Sequence, residues 1–214
     1  MNFITQWIEE IPVMTTLPAP TDALTESHRL ITMIEQLRGE LPFADDILAL
    51  HRPTHHELEI STVKSEQAVA AWREALARRW ESEVAGLRLY KRIVRQLAEH
   101  YGSEDAPEVQ MLSRGGTKAD SSPAELLTDL RRLQAALSVG LGFAPERQPE
   151  VEQACAALES AITDANQSET QRRVAVLDNR MAREAYRRVR GETRRLLVEH
   201  YGEHMAHEFT ELLG

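Results

Sequence analysis

The sequence predicts an all-α protein: an elongated four-helix bundle made of two tandem helical hairpins, related by an internal duplication with an offset of 100. Three observations carry this. The hexapeptide Leu97-Ala98-Glu99-His100-Tyr101-Gly102 returns as Leu197-Val198-Glu199-His200-Tyr201-Gly202. Sliding 24–102 onto 124–202 without a gap matches 18 of 79 residues, where ordinary composition gives about one in fifteen. A constant offset held across loops is the signature of a repeat. The composition is 42% hydrophobic but only 5% aromatic, with 28% charged residues, and Leu, Ala, Glu and Arg dominate over β-branched runs, which favours helix over sheet.

Each hexapeptide reads as the end of a long helix. Gly102 and Gly202 supply the residue that adopts positive φ past a helix terminus. His100 and His200 fall in the last turn, where unpaired carbonyls favour a donor. Tyr101 and Tyr201 can bury a ring and keep the hydroxyl in water.

The chain divides into an N-terminal arm over 1–20, a first repeat over 21–112, a linker over 113–121 and a second repeat over 122–214. The two repeats are expected to share one core. The arm combines a short amphipathic stretch (Phe3, Trp7, Ile8) with Pro12, Pro18 and Pro20, which keep the backbone extended. A first helix starts near Asp22, carries Leu24, Leu30, Ile31, Ile34 and Leu37 at helical spacing, and ends by Gly39 and Pro42. Residues 43–53 read as an irregular link.

A long helix then opens at Pro53, with Thr54 and Glu57 spaced as a capping box. Its apolar stripe runs through Leu58, Thr62, Val69, Trp72, Leu76, Trp80, Val84, Leu87, Val94, Leu97 and Tyr101, in coiled-coil-like steps. Polar steps at Lys64–Gln67 and Asp164–Glu169 mark where the two long helices would break. Ser103-Glu104-Asp105-Ala106-Pro107 caps a short helix ending near Leu112, and Ser113–Asp120 links the repeats.

In the second repeat, Ser122-Pro123-Ala124-Glu125 is a capping box with proline at the first helical position. Leu126, Leu127, Leu130, Leu133 and Leu137 follow, and Gly140 and Gly142 end that helix. The last long helix runs from about Pro149 to Tyr201, with Val151, Cys155, Leu158, Ile162, Val174, Leu177, Met181, Ala185, Val189 and Leu196 at apolar positions. A final short helix over about 203–213 is expected.

A long helix ending in Tyr-Gly, followed by the acidic proline turn Ser103-Glu104-Asp105-Ala106-Pro107-Glu108, with the helix end present twice, resembles a loose group of bacterial all-helical proteins of unknown function. The resemblance spans most of 24–212 and implies the duplicated fold but no activity. The second copy departs from it, with Glu203-His204-Met205-Ala206-His207 in place of the acidic turn.

The net charge of −9 argues against nucleic-acid binding by the chain as a whole. The single cysteine, Cys155, excludes an intramolecular disulfide and a cysteine-based zinc site, and reads as a small core filler. The N-terminus lacks a signal-peptide pattern, and no stretch has the apolar length of a membrane span. The expectation is a cytoplasmic protein without cofactors.

Three features carry candidate chemistry. Residues 172–195 hold nine arginines against three acidic residues, +6, leaving −15 for the rest. Within them Arg180, Arg183, Arg187, Arg190 and Arg194 step by threes and fours along one helix face. Such a stripe suits phosphate groups or an acidic partner; the plainer account is a solvated face paired with neighbouring carboxylates. His200, His204 and His207 have spacing that a metal can use, but Gly202 interrupts the helix between them, and exposed or capping histidines are the plainer account. His51, His55 and His56, beside Glu57, match no metal spacing and read as structural. Trp72 and Trp80, eight apart, read as core.

No Gly-rich phosphate loop, HExxH, GxSxG or CxxC occurs, nor the repeated Glu-x-x-His of di-iron bundles. The functional expectation is therefore a non-enzymatic helical interaction or scaffold protein, self-associating or bound to a protein partner. The alternatives are a binder of an anionic ligand or nucleic acid through the arginine stripe, and a metal site at the C-terminal histidines.

Overall fold

The computed structural model describes residues 23–113, 122–138 and 146–202. Every regular element among them is an α-helix: α1 (Ala23–Gln36), α2 (Ala44–Tyr101), α3 (Pro107–Ser113), α4 (Pro123–Ser138) and α5 (Gln148–Tyr201). The fold is all-α. The N-terminal arm, the Asp22 cap, most of the linker, Gly140 and Gly142, and the expected helix over 203–213 lie outside the described residues. None of the described helices is long and apolar enough to cross a membrane.

Both long helices run unbroken through their polar steps at 64–67 and 164–169. One sequence boundary is corrected. Residues 44–53 are the first turns of α2, and Pro53 lies inside it. Thr54 is no cap, since its hydroxyl donates to the Leu50 carbonyl one turn back, at 2.8 Å. A proline inside a helix forfeits one backbone hydrogen bond and crowds the preceding turn, at about 3 kcal/mol. Against this, the added turns bury Ala44, Ile47, Leu48 and His51, and packing of an apolar face outweighs local propensity.

The chain forms two compact units. Unit 1 contains α1, the start of α2 up to Ser61, and the end of α5 from Asn179. Its core is Leu30, Ile34, Leu41, Ala44, Ile47 and Leu48, with Leu196 and Tyr201 packed against it. Unit 2 contains the rest of α2, α3, α4 and the start of α5. Its core joins Tyr90, Ile93 and Leu97 to Leu126, Leu130, Leu133 and Leu137, and to Val151, Cys155 and Leu158. In each unit a short helix thus packs on one segment from each long helix.

The end signals act as their residues dictate. At the start of α4, Ser122 Oγ accepts from the Glu125 amide at 3.3 Å, and Glu125 accepts from the Ser122 amide at 2.8 Å. This closes the capping box and satisfies two amides that the helix leaves unpaired. Gly102 and Gly202 take φ of 80° and 83°, and the Gly202 amide donates to the Val198 carbonyl at 2.9 Å. After Gly102, Ser103 Oγ accepts from the Asp105 amide at 3.0 Å, setting the turn that leads into α3.

Candidate functional site

The arginine stripe lies wholly in unit 1 and is divided. Arg190 Nη1 turns to Glu26 Oε1 on α1, 2.7 Å away. Arg180 pairs along its own helix with Glu184 at 3.1 Å, an exposed pair of small energetic consequence. Arg183 Nε donates to Asn179 Oδ1 at 3.3 Å. Arg187 and Arg194 are exposed, and no ion pair joins either to another described residue. The stripe therefore presents Arg180, Arg183, Arg187 and Arg194 outward, while Arg190 holds α5 to α1.

Beneath Arg190 lies a group of buried polar side chains, of which the sequence singled out only His51, as structural. Glu26, Ser27, His51 and Thr193 are all buried, as is Tyr186. The Thr193 hydroxyl donates to the Val189 carbonyl at 3.1 Å. It must then accept the 2.7 Å bond from His51 Nε2, which fixes the His51 proton on Nε2 and leaves Nδ1 bare. That Nδ1 has no partner among the described residues, and neither does the Tyr186 hydroxyl. The rings of His51 and Tyr186 meet edge-on with centroids 6.2 Å apart. The Glu26–Arg190 contact is an ion pair without hydrogen-bond alignment.

Solvent exclusion sets the protonation of this layer. Burial pushes the His51 imidazole down to about 4 from 6.5, because the charged form would lose its hydration. Burial, reinforced by the Glu26 carboxylate, pushes the Tyr186 phenol up. Nearby, His55 Nδ1 and Ser27 Oγ lie 3.2 Å apart, and the His55 and His28 rings lie 5.9 Å apart. Burial lowers His55 as well, with Glu59 opposing.

The sequence signal for this layer is the shift of 100 itself. His51 stands against Val151, Thr193 against Ile93, Glu26 against Leu126 and Ser27 against Leu127. Polar residues at apolar register positions mark a departure that periodicity alone passes over.

The remaining candidates separate. His200 packs edge-on against Phe43 and Tyr201, with centroids 5.2 Å and 4.6 Å away; His204 and His207 lie outside the described residues. Among the described residues no three His, Cys, Asp or Glu side chains converge as a metal would need. Cys155 is buried, and that burial pushes its thiol up, which disfavours the reactive thiolate.

In unit 2, Trp72 carries the Arg172 guanidinium over its ring at 4.6 Å. Glu169 holds that guanidinium with two hydrogen bonds of 2.7 and 2.9 Å and also takes Arg173. These bonds pull the Glu169 carboxyl down to about 2. Trp80 departs from the core reading: it is 64% exposed. Val174 and Leu177, one turn apart on α5, are each 55% exposed. Met181, in unit 1, is exposed as well. These residues continue the apolar rhythm of the long helices, but no helix among the described residues covers them.

No protein-family model matches this chain. Neither does any curated protein or solved structure. Function therefore rests on the residues alone.

Proposed function

We propose that this chain is a cytoplasmic, non-enzymatic helical interaction protein that self-associates through apolar helix faces its own fold leaves open. The exposure of Val174 and Leu177 on α5 carries the reading. Each such side chain contributes about 1.5–3 kcal/mol when fully buried, and solvent-facing apolar patches mark sites of association. Trp80 adds an aromatic side chain of the kind that dominates interface energetics. The test is sedimentation of the full chain over a range of concentrations. The double variant Val174→Glu/Leu177→Glu is expected to weaken self-association by more than about tenfold while keeping the helical circular dichroism. A chain that stays monomeric throughout, or an association that ignores the two glutamates, overturns the proposal.

A second reading rests on Arg187 and Arg194, exposed and without ion pairs to described residues. Together with Arg180 and Arg183 they suit an anionic ligand or nucleic-acid backbone. Salt-sensitive binding of heparin or an oligonucleotide, lost in Arg183→Glu/Arg187→Glu, would favour it.

The proposed history of the fold is tandem duplication of one hairpin, as in the group of bacterial helical proteins that the sequence resembles. Supporting it are buried leucines at matched positions, Leu30 with Leu130, Leu58 with Leu158 and Leu97 with Leu197. The two corner glycines, with φ of 80° and 83°, support it too.

A further inference from the structure

The polar layer of unit 1 has a property that its apolar counterpart in unit 2 lacks. His51 has 0% of its surface exposed, and its one hydrogen bond ties α2 to α5 through Thr193. That bond uses the neutral imidazole and already takes up Nε2. A second proton can enter only at Nδ1, which meets no acceptor. The ionisable groups nearby are Tyr186 and Arg190 from α5, Glu26 from α1, and His55 one turn along α2. Glu26 is the one anion in this set, and Arg190 already neutralises it. A charged His51 would therefore be a buried cation without a counter-charge or an acceptor, which a folded core does not tolerate. The chain relieves this by hydrating the ring, and hydration requires α2 and α5 to part. At the positions one hundred along, unit 2 has Val151 and Ile93, both 0% exposed and unable to take a proton.

We propose that unit 1 is an acid-operated latch: a proton on His51 parts α2 from α5 within that unit and uncovers its apolar core, while unit 2 stays closed. The surface released is that of Leu30, Ile34, Ile47 and Leu48. This needs no assumption about the partner of the exposed α5 residues.

The direction follows from linkage. The folded imidazole, held at about 4, binds a proton more weakly than the open one at 6.5. Its contribution to closure is complete above 6.5 and declines as pH falls from 6.5 towards 4. Below that it levels off. Within the window the opening equilibrium rises by up to about tenfold per pH unit. His55, lowered by its own burial, acts in the same direction.

Amide hydrogen exchange on the full chain, corrected for intrinsic rates, tests the latch between about pH 7 and about pH 4.5. Amides of 44–61 and 186–197 are expected to lose about a hundredfold in protection relative to those of 86–98 and 151–158. The variant His51→Val, which places the unit 2 residue at this position, is expected to remove most of the difference and leave only the smaller share that His55 contributes. Where valine does not fold, His51→Gln keeps the donor to Thr193, takes no proton and gives the same result. Equal losses in both units, or a difference that survives either variant undiminished, overturns the proposal. An imidazole resonance of His51 that titrates near 6.5 with no change in exchange overturns it too.

Discussion

Units 1 and 2 use the same parts, a short helix against segments of two long ones, and fill them differently. In unit 2 the layer formed by Ile93, Leu126 and Val151 is apolar, and dispersion and burial hold it without regard to direction. In unit 1 the positions one hundred away hold Thr193, Glu26 and His51; Thr193 and His51 share a directed hydrogen bond, and Glu26 an ion pair with Arg190. A hydrogen-bonded layer contributes less net stability than an apolar one of equal volume, and it fails abruptly when one partner changes charge. The lesson is that two stretches with one helical rhythm can differ in what disrupts them.

The comparison breaks most sharply if the polar layer is moved. Val151→His buries an imidazole in the core of unit 2, in the cluster that contains Ile93 and Leu126. Urea unfolding should show a loss of about 2–4 kcal/mol at neutral pH. Adding Ile93→Thr should recover about 1 kcal/mol as a coupling between the two sites. A histidine tolerated there at no cost would mean that unit 2 is not the dry counterpart drawn above.

The corner glycines sharpen the comparison from the other side, because there the units should agree. Gly102→Ala and Gly202→Ala each force a side chain into positive φ, with nothing within 4 Å of the new methyl. Backbone strain alone then sets the cost, about 1–2 kcal/mol, and it should be the same in both variants by thermal or urea unfolding. Unequal losses would show that the two corners are not the same structure.

The smallest effect belongs to Gly86, buried in unit 2, with Tyr186 at the position one hundred on. An added Cβ would meet Leu130 Cδ1 at 3.2 Å and Leu126 Cδ2 at 3.7 Å. Both are ends of flexible side chains. The gain in helix propensity, about 1 kcal/mol, and the crowding nearly cancel. Gly86→Ala should therefore change stability by less than about 1 kcal/mol in the same assay. A loss of several times that would mean that α2 and α4 approach with no slack.

Local chemistry was legible in the sequence wherever a single residue type answers a single backbone need. The capping box at Ser122 and Glu125 and the glycines at 102 and 202 are of that kind. The start of α2 was not legible, because Pro53, Thr54 and Glu57 imitate a helix beginning and only tertiary burial of Ile47 and Leu48 extends the helix back to Ala44. Trp80, Val174 and Leu177 continue the apolar spacing, and spacing says which face is apolar but not whether a neighbour reaches it. The short helices α1 and α4, of 14 and 16 residues, cannot cover helices of 58 and 54. The arginine stripe was legible as a pattern, yet its division between Arg190 and the outward arginines depends on where Glu26 lies. The polar layer stayed hidden because its members come from three helices far apart in the chain.

Trp72 and Trp80 both belong to unit 2, one beneath a guanidinium and the other open to water. With Trp7 changed to phenylalanine, indole emission would come from that unit alone. Far-ultraviolet ellipticity would still count the helices of both. An acid titration in which ellipticity falls while the emission spectrum stands still would locate the event by colour, without a label and without resolving a single atom.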